Sequence, residues 1–145
     1  KEFAVSLKYR PYRDGFENWL KKNRPDILEK VGIFQNSPQQ AAALSDVVVG
    51  SHSSAVLEAL LQLKPIVFFW TNKWGDYFDL KDLDKEGRFF ASTPEELVDY
   101  IRESKNMPED IIKQLQKRFF GDPNKNGGRW VVDQALELAK NYARQ

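Results

Sequence analysis

The sequence predicts a Rossmann-like, three-layer α/β/α fold, with a parallel sheet of about five strands between two layers of helices. Short apolar runs alternate with helical patterns about every 20 to 30 residues, as in repeated βαβ units. Two runs, 46–50 (DVVVG) and 65–70 (PIVFFW), are almost wholly apolar, which is typical of strands covered on both faces. The chain has 145 residues, 41% of them hydrophobic, so residues 1–145 are expected to form one domain.

The elements follow from local patterns along the chain. Strands are expected near residues 3–8, 31–35, 46–50, 65–70 and 88–91. Helices are expected over 15–31, 37–45, 54–64, 93–104, 108–121 and 128–145. Pro25 should divide the first helix, because proline lacks an N–H and clashes with the preceding turn. Ser37 and Thr93 are expected N-caps, each followed by proline, and Glu96 should complete a capping box with Thr93.

Composition excludes several classes of protein. The net charge is +1, so there is no electrostatic reason to expect nucleic acid or a charged membrane surface as a partner. The absence of cysteine excludes disulfides and thiolate metal sites, and fits a reducing compartment. No apolar run approaches the ~20 residues that span a bilayer. Lys1 leads almost directly into a strand-like run without an initiator Met, which indicates a piece of a longer protein.

The predicted topology gives the place where a ligand should bind. Parallel α/β sheets bind ligands beyond the carboxyl ends of their strands. The loops 9–15, 35–38, 50–54 and 70–79 are therefore expected to share one edge of the sheet, here called the ligand edge.

The main candidate site is the segment 50–54 (GSHSS), here called the polar break, between a strand and a helix. Helix N-termini leave N–H groups unpaired and carry about half a positive charge, so they attract phosphate. Gly50 permits close backbone approach, and Ser53 or Ser54 can cap the helix or donate to an anion. His52 can donate from its ring, or add charge where a bound phosphate raises its pKa. The candidates are Gly50, Ser51, His52, Ser53 and Ser54.

Glu58 lies one turn into the helix that follows the polar break, where a sugar hydroxyl of a nucleotide is a candidate partner. Simpler roles stay open for all of these residues. The two serines can be ordinary caps, and His52 can be a hydrogen-bonded surface residue. Glu58 can reach solvent or pair with Lys64.

Two weaker candidates lie on the same edge. Lys8 and Arg10, with Arg13, stand near the end of the first strand, where they can hold a phosphate or a carboxylate substrate, or form a solvated basic turn. Aromatic side chains in the segment 70–79 can stack on a base or a sugar ring, or form a lid packed on its own domain. These are Trp70, Trp74 and Tyr77.

The acidic residues of the neighbouring segment do not match a metal-binding loop. Asp76, Asp79, Asp82 and Asp84 lack EF-hand spacing and the glycine that this loop needs. A single histidine without cysteine gives little support to a catalytic triad. No metal ligand is therefore assigned.

Residues 43–69 (ALSDVVVGSHSSAVLEALLQLKPIVFF) resemble the donor-binding, C-terminal half of the GT-B glycosyltransferases. The shared pattern is a buried strand, a small polar loop, a helix with Glu-Ala and a strand that begins with proline. The nearest likeness is to the CDP-glycerol glycerophosphotransferases and their capsule-polysaccharide relatives, which carry a Ser-Ser pair at the helix start. Their Lys-x-His-Pro turn is matched at Lys8 and Pro11, but Arg10 replaces the histidine. Their terminal Asp-Gly-x-x-x-x-Arg segment is matched only loosely, by 124–130.

The resemblance implies a role for each candidate. Ser53 and Ser54 would hold the donor's phosphates, His52 would lie beside the diphosphate, and Glu58 would meet the ribose. The donor would be a nucleotide-sugar, for example UDP- or CDP-linked, without another cofactor and without a metal. The acceptor and the catalytic base would belong to a missing N-terminal domain, so the isolated domain is expected to transfer nothing.

Residues and resemblance together predict the donor-binding domain of a glycosyltransferase or glycerophosphotransferase of bacterial surface polysaccharide synthesis. It is expected in the cytoplasm or at the inner face of the membrane, in peripheral association with it. Two other functions stay open. One is a UDP-sugar 2-epimerase half, although such sites are richer in acidic and histidine residues. The other is a non-catalytic α/β binding module, for which a receiver-like version is disfavoured because Asp46 begins its strand instead of ending it.

Overall fold

The computed structural model describes residues 3–9, 15–122 and 125–142. Its strands are β1 (Ser6–Leu7), β2 (Gly32–Ile33), β3 (Val48–Gly50), β4 (Ile66–Phe69) and β5 (Phe90–Ala91). Its helices are α1 (Phe16–Asn23), α2 (Pro25–Leu28), α3 (Pro38–Ala43), α4 (Ser54–Leu57), α5 (Pro94–Glu103), α6 (Glu109–Phe120) and α7 (Gly127–Tyr142). Short 3-10 segments cover Glu58–Gln62 and Ser104–Asn106. The alternation of strands and helices confirms the mixed α/β class.

The strands form two small parallel sheets instead of the single five-stranded sheet that was expected. One sheet pairs β1 with β2, and the other has the order β3-β4-β5. Within the described residues no ladder of hydrogen bonds joins the two sheets. The strands β1 and β2 are two residues long, and Ser6, Gly32 and Ile33 are exposed. Such short, exposed strands bury little apolar surface, so the sheet of β1 and β2 contributes less to stability than the sheet around β4.

The core is centred on β4, which lies between β3 and β5. Ile66, Val67 and Phe68 of this strand are fully buried. Ile66 and Phe68 belong to one apolar cluster with residues after the polar break and from α6, including Leu60, Ile112 and Leu115. Burying each such side chain stabilises the fold by roughly 1.5–3 kcal/mol. The strand β4, which leads into the loop beside the polar break, is therefore the most firmly packed of the described strands.

Local signals for helix starts and breaks are confirmed. The helix expected over 15–31 is divided, with α1 ending at Asn23 and α2 starting at Pro25. Thr93 and Glu96 form the expected capping box at α5. Ser37 also forms a capping box, with Gln40 as its partner.

The helix expected over 54–64 is corrected in its second half. It is α-helical only to Leu57 and continues as a 3-10 segment to Gln62, after which Leu63 forms the C-cap with a φ of +53°. The Leu60 carbonyl accepts from the Leu63 N–H at 3.0 Å and from the buried Gln116 side-chain amide at 3.0 Å. The contact with α6 therefore accompanies the tightening of the last turn.

The last helix, α7, carries several large apolar side chains, and none of its residues is buried. Its exposed apolar side chains include Trp130, Val131, Leu138 and Tyr142. Among the residues that the structure describes, no helix has the length and apolar character needed to cross a membrane.

Candidate functional site

The polar break lies at the carboxyl end of β3, directly before α4. Because β3 and β4 run parallel, the loop that follows Phe69 leaves the same edge of the sheet. Gly50 pairs with Phe68, so both segments begin at nearly the same level of the two strands. This is the arrangement in which α/β proteins bind ligands.

Ser53 occupies the N-cap position of α4, but its side chain makes no cap hydrogen bond. Ser37 and Thr93, at the starts of α3 and α5, each accept from the backbone N–H three residues later. At α4 that third residue is Val56, whose side chain cannot complete a capping box, and its N–H reaches the Ser53 carbonyl at 3.0 Å. The hydroxyl of Ser53 is therefore not used to cap this helix.

Gly50 serves the packing of α4 on β3. A Cβ atom at this position would collide with a methyl group of Val56. The close approach that was expected for a ligand is thus made, in the described structure, by the next helix. Gly50 sets how near the start of α4 comes to the end of the strand.

His52 of the polar break contacts the segment 70–79 after β4, here called the aromatic loop. The Ser51 hydroxyl lies 2.8 Å from Nδ1 of His52. The imidazole stacks on Trp74 with 4.5 Å between ring centroids and an interplanar angle of 24°. Tyr77 meets it edge-on at 6.3 Å. Two groups that were separate sequence predictions therefore form one cluster, and the sequence carried no signal for this contact.

Trp70, the third aromatic residue expected at this edge, does not take part in that ring cluster. Its ring meets Phe90 of β5 edge-on at 6.4 Å. It also lies against Gly75, where an added Cβ would come within 3.3 Å of the indole. Trp70 thus packs on the sheet and on its own turn.

Glu58 faces α3 instead of Lys64. Its carboxylate accepts from the Gln39 side-chain amide at 2.5 Å. The Lys64 ammonium donates instead to the Ser45 carbonyl at 2.9 Å. A ribose hydroxyl would have to share or replace the contact with Gln39.

The acidic residues after β4 act as backbone acceptors. Asp84 accepts from the N–H groups of Arg88, Phe89 and Phe90 at 2.7, 3.0 and 2.7 Å. Asp76 accepts from Leu80 and Lys81 in the same way, at 2.8 and 2.7 Å. In the described part of the chain, no group of three or more His, Cys, Asp or Glu residues could hold a metal ion. These aspartates therefore shape the loop.

The basic candidates of the first strand are not brought to the polar break. Lys8 is exposed and its ammonium group bonds to the neighbouring Tyr9 carbonyl at 3.1 Å. It follows β1, which belongs to the other sheet. Arg10 and Arg13 lie outside the described residues.

A separate open concavity of about 480 Å³ lies away from the polar break. Its lining includes Glu86, Arg88, Glu103 and Asn106, and none of the predicted site residues. The structure thus has an aromatic and polar surface at the ligand edge, and a concavity of mixed charge elsewhere.

No family model matches the chain, and no curated protein and no solved structure matches it.

Proposed function

We propose that this chain is the donor-binding domain of a glycosyltransferase or glycerophosphotransferase that acts in bacterial surface polysaccharide synthesis. The domain would bind the diphosphate of a nucleotide-sugar at the polar break. A second, acceptor-binding domain of the same protein would supply the catalytic base, so this domain alone would transfer nothing. The whole enzyme would work in the cytoplasm or at the inner face of the membrane, and the two sheets would be parts of one Rossmann-like layer.

The observation that carries the proposal is the start of α4. The residue at its N-cap makes no side-chain cap bond, in contrast to Ser37 and Thr93. The segment before it holds the hydroxyl of Ser51 and the imidazole of His52, which are 2.8 Å apart. Phosphate oxygens accept hydrogen bonds from hydroxyl, imidazole and backbone N–H groups, and all three kinds of donor occur here at the carboxyl end of a parallel strand.

The chemistry follows from these donors. Cleavage of the donor leaves negative charge on the departing nucleotide, which is a nucleoside diphosphate in glycosyl transfer and a nucleoside monophosphate in glycerophosphate transfer. The N–H groups at the start of α4, with the hydroxyls of Ser53 and Ser54, would stabilise that charge. Glu58 would orient the ribose through an exchange of its Gln39 contact.

Calorimetric titration with UDP, CDP and GDP tests the proposal. We expect one of the three to bind, and the double variant Ser53→Ala/Ser54→Ala to weaken that binding about tenfold, because it removes two hydroxyl donors to a charged ligand. Thr93→Ala is the matched control, since it removes an N-cap hydroxyl from a different helix, α5. It should bind like the unmodified chain. No binding of any nucleotide, or equal binding by all variants, would sink the proposal.

A further inference from the structure

The helix α7 lacks the packing that normally stabilises a helix. It extends over 16 residues, and every one of them is exposed. Most of the stability of a helix in a protein comes from packing an apolar face on another element, and helices of about 15 residues are marginal alone. The described part of the chain does not provide such a cover for α7.

The apolar residues of α7 lie on one side of the helix. Four of them follow one another at intervals of four, three and four positions, the spacing of a seam along which two helices pack. These seam residues are Val131, Ala135, Leu138 and Tyr142. Val132 and Leu136 widen the apolar side. A rotation of about 100° per residue places Asp133, Glu137 and Lys140 on the far side of the helix.

The exposed area of this apolar side reaches the size of a protein interface. Leu138 is 69% exposed and Tyr142 is 85% exposed, and Val131, Val132 and Leu136 are more than half exposed. A buried aliphatic side chain removes roughly 60–120 Å² from water and an aromatic one about 150–250 Å², so this side offers on the order of 500 Å². Two such sides would together bury about 1,000 Å², which is the lower limit for a specific interface.

The seam is complementary to itself when two copies of α7 run in opposite directions. With a two-fold axis between positions 136 and 137, Ala135 faces Leu138 of the second copy, and Val131 faces Tyr142 of the second copy. A smaller side chain then meets a larger one at each level, as in a well-packed core. In a parallel pair each residue would face its own copy, and two alanines would leave a gap in the seam.

The residues beside the seam fit the same antiparallel arrangement. On one flank Gln134 lies opposite Asn141 of the second copy, where two side-chain amides can exchange hydrogen bonds. On the other flank Val132 lies near Ala139 of the second copy. The charged residues of the described helix stand away from the seam, so the pairing does not force like charges together. Antiparallel helices also place opposite ends of their dipoles beside each other.

We propose that α7 is a self-association element, through which two copies of this chain form an antiparallel helix pair. The partner is a second copy of the chain because the seam matches itself in size at each level and has the area that such a pair needs. The inference does not depend on the proposed function, since α7 lies outside the polar break.

Sedimentation equilibrium of the 145-residue chain, from micromolar to submillimolar concentration, tests the association. We expect the mass to rise with concentration from that of the 16.9 kDa chain to that of a dimer. Leu138→Ala should weaken the dimer at least about tenfold, because each dimer loses two packed leucines. Trp130→Ala is the matched control, since it removes a larger exposed apolar side chain from outside the seam, and it should associate like the unmodified chain.

Two further variants test the direction of the helices. The double variant Ala135→Leu/Leu138→Ala exchanges a small and a large position that face each other only in an antiparallel pair, so association should return. The chain has no cysteine, so an oxidised mixture of Val131→Cys and Tyr142→Cys should form mainly mixed disulfide dimers. In an antiparallel pair two copies of the same variant hold their sulfurs about 16 Å apart along the axis, which is too far for a disulfide.

Three results would overturn the inference. One is a chain that stays monomeric over the whole concentration range, and another is equal weakening of the dimer by Leu138→Ala and Trp130→Ala. Disulfide dimers of mainly one variant with itself would mean a parallel pair and contradict the antiparallel packing. A monomer in which Leu138→Ala lowers the free energy of unfolding would mean that α7 packs on its own chain instead of on a second copy.

Discussion

Gly50 shows how one missing side chain sets the position of the polar break. Its Cβ would meet Val56, so the glycine lets α4 start close to the end of β3. We expect Gly50→Ala to lower the free energy of unfolding by about 1–3 kcal/mol, because an added methyl group overpacks this contact. Urea unfolding measures the change.

Gly127 gives the matched control for that substitution. It begins α7, and an added Cβ would meet nothing within 4 Å. Gly127→Ala should therefore leave the free energy of unfolding equal or slightly higher, since alanine favours a helix more than glycine does. A similar loss for both variants would remove the special role of Gly50.

Asp84 is a second residue with a structural role, because its side chain binds the backbone around it. Its carboxylate accepts from three consecutive N–H groups at the entry to β5. Asp84→Ala should cost about 1–3 kcal/mol of unfolding free energy, because these partly buried donors lose their acceptor. Asp82, two residues earlier, is exposed, so Asp82→Ala should stay within about 0.5 kcal/mol of the unmodified chain. Equal effects of the two substitutions would contradict this account.

At the scale of elements, the starts of three helices divide into two kinds. Ser37 caps α3 and Thr93 caps α5 with their hydroxyls, whereas Ser53 stands at the same position of α4 without a side-chain cap bond. Thr93→Ala should lower the free energy of unfolding by about 1 kcal/mol, the usual cost of a lost N-cap. Ser53→Ala should change it by only a few tenths and act instead on ligand binding. Chemical unfolding of both variants measures the difference, and a loss at Ser53 as large as that at Thr93 would assign the serine to ordinary capping.

These elements also mark what the sequence could and could not predict. The helix starts at Ser37, Thr93 and Pro25 were predicted, because each one is signalled by a sequence pattern of at most four neighbouring residues. The 3-10 continuation after Leu57 was missed, since it goes with a contact between Leu60 and Gln116, 56 positions further along the chain. The apolar pattern of residues 54–64 gives no sign of that contact.

The same difference between local sequence signals and contacts of residues far apart in the chain applies to the candidate site. Serine and histidine before a helix are visible in the sequence, and the structure finds them there. The contact of His52 with Trp74 was not predictable, because it depends on how the loop after β4 folds back over the edge of the sheet. The pattern of the acidic residues did not fit a metal-binding loop, and the hydrogen bonds that Asp76 and Asp84 accept from the backbone could be identified only in the folded chain.

At the scale of the whole molecule, five strands were placed correctly along the chain but not in one sheet. The apolar runs predict strands, and β3, β4 and β5 join in parallel as expected. The pairing of β1 with the rest depends on the register and length of strands that are only two residues long. The secure part of the architecture is thus the three-stranded sheet that carries the polar break and the aromatic loop.

The location of bound nucleotide tests the central claim most directly. Amide NMR spectra of the whole chain are recorded while UDP, CDP or GDP is added. The account predicts that the largest shifts occur at the N–H groups of residues 51–55, together with the ring of His52. Shifts centred on the hollow lined by Arg88 and Asn106, or no shifts with any of the three, would contradict it.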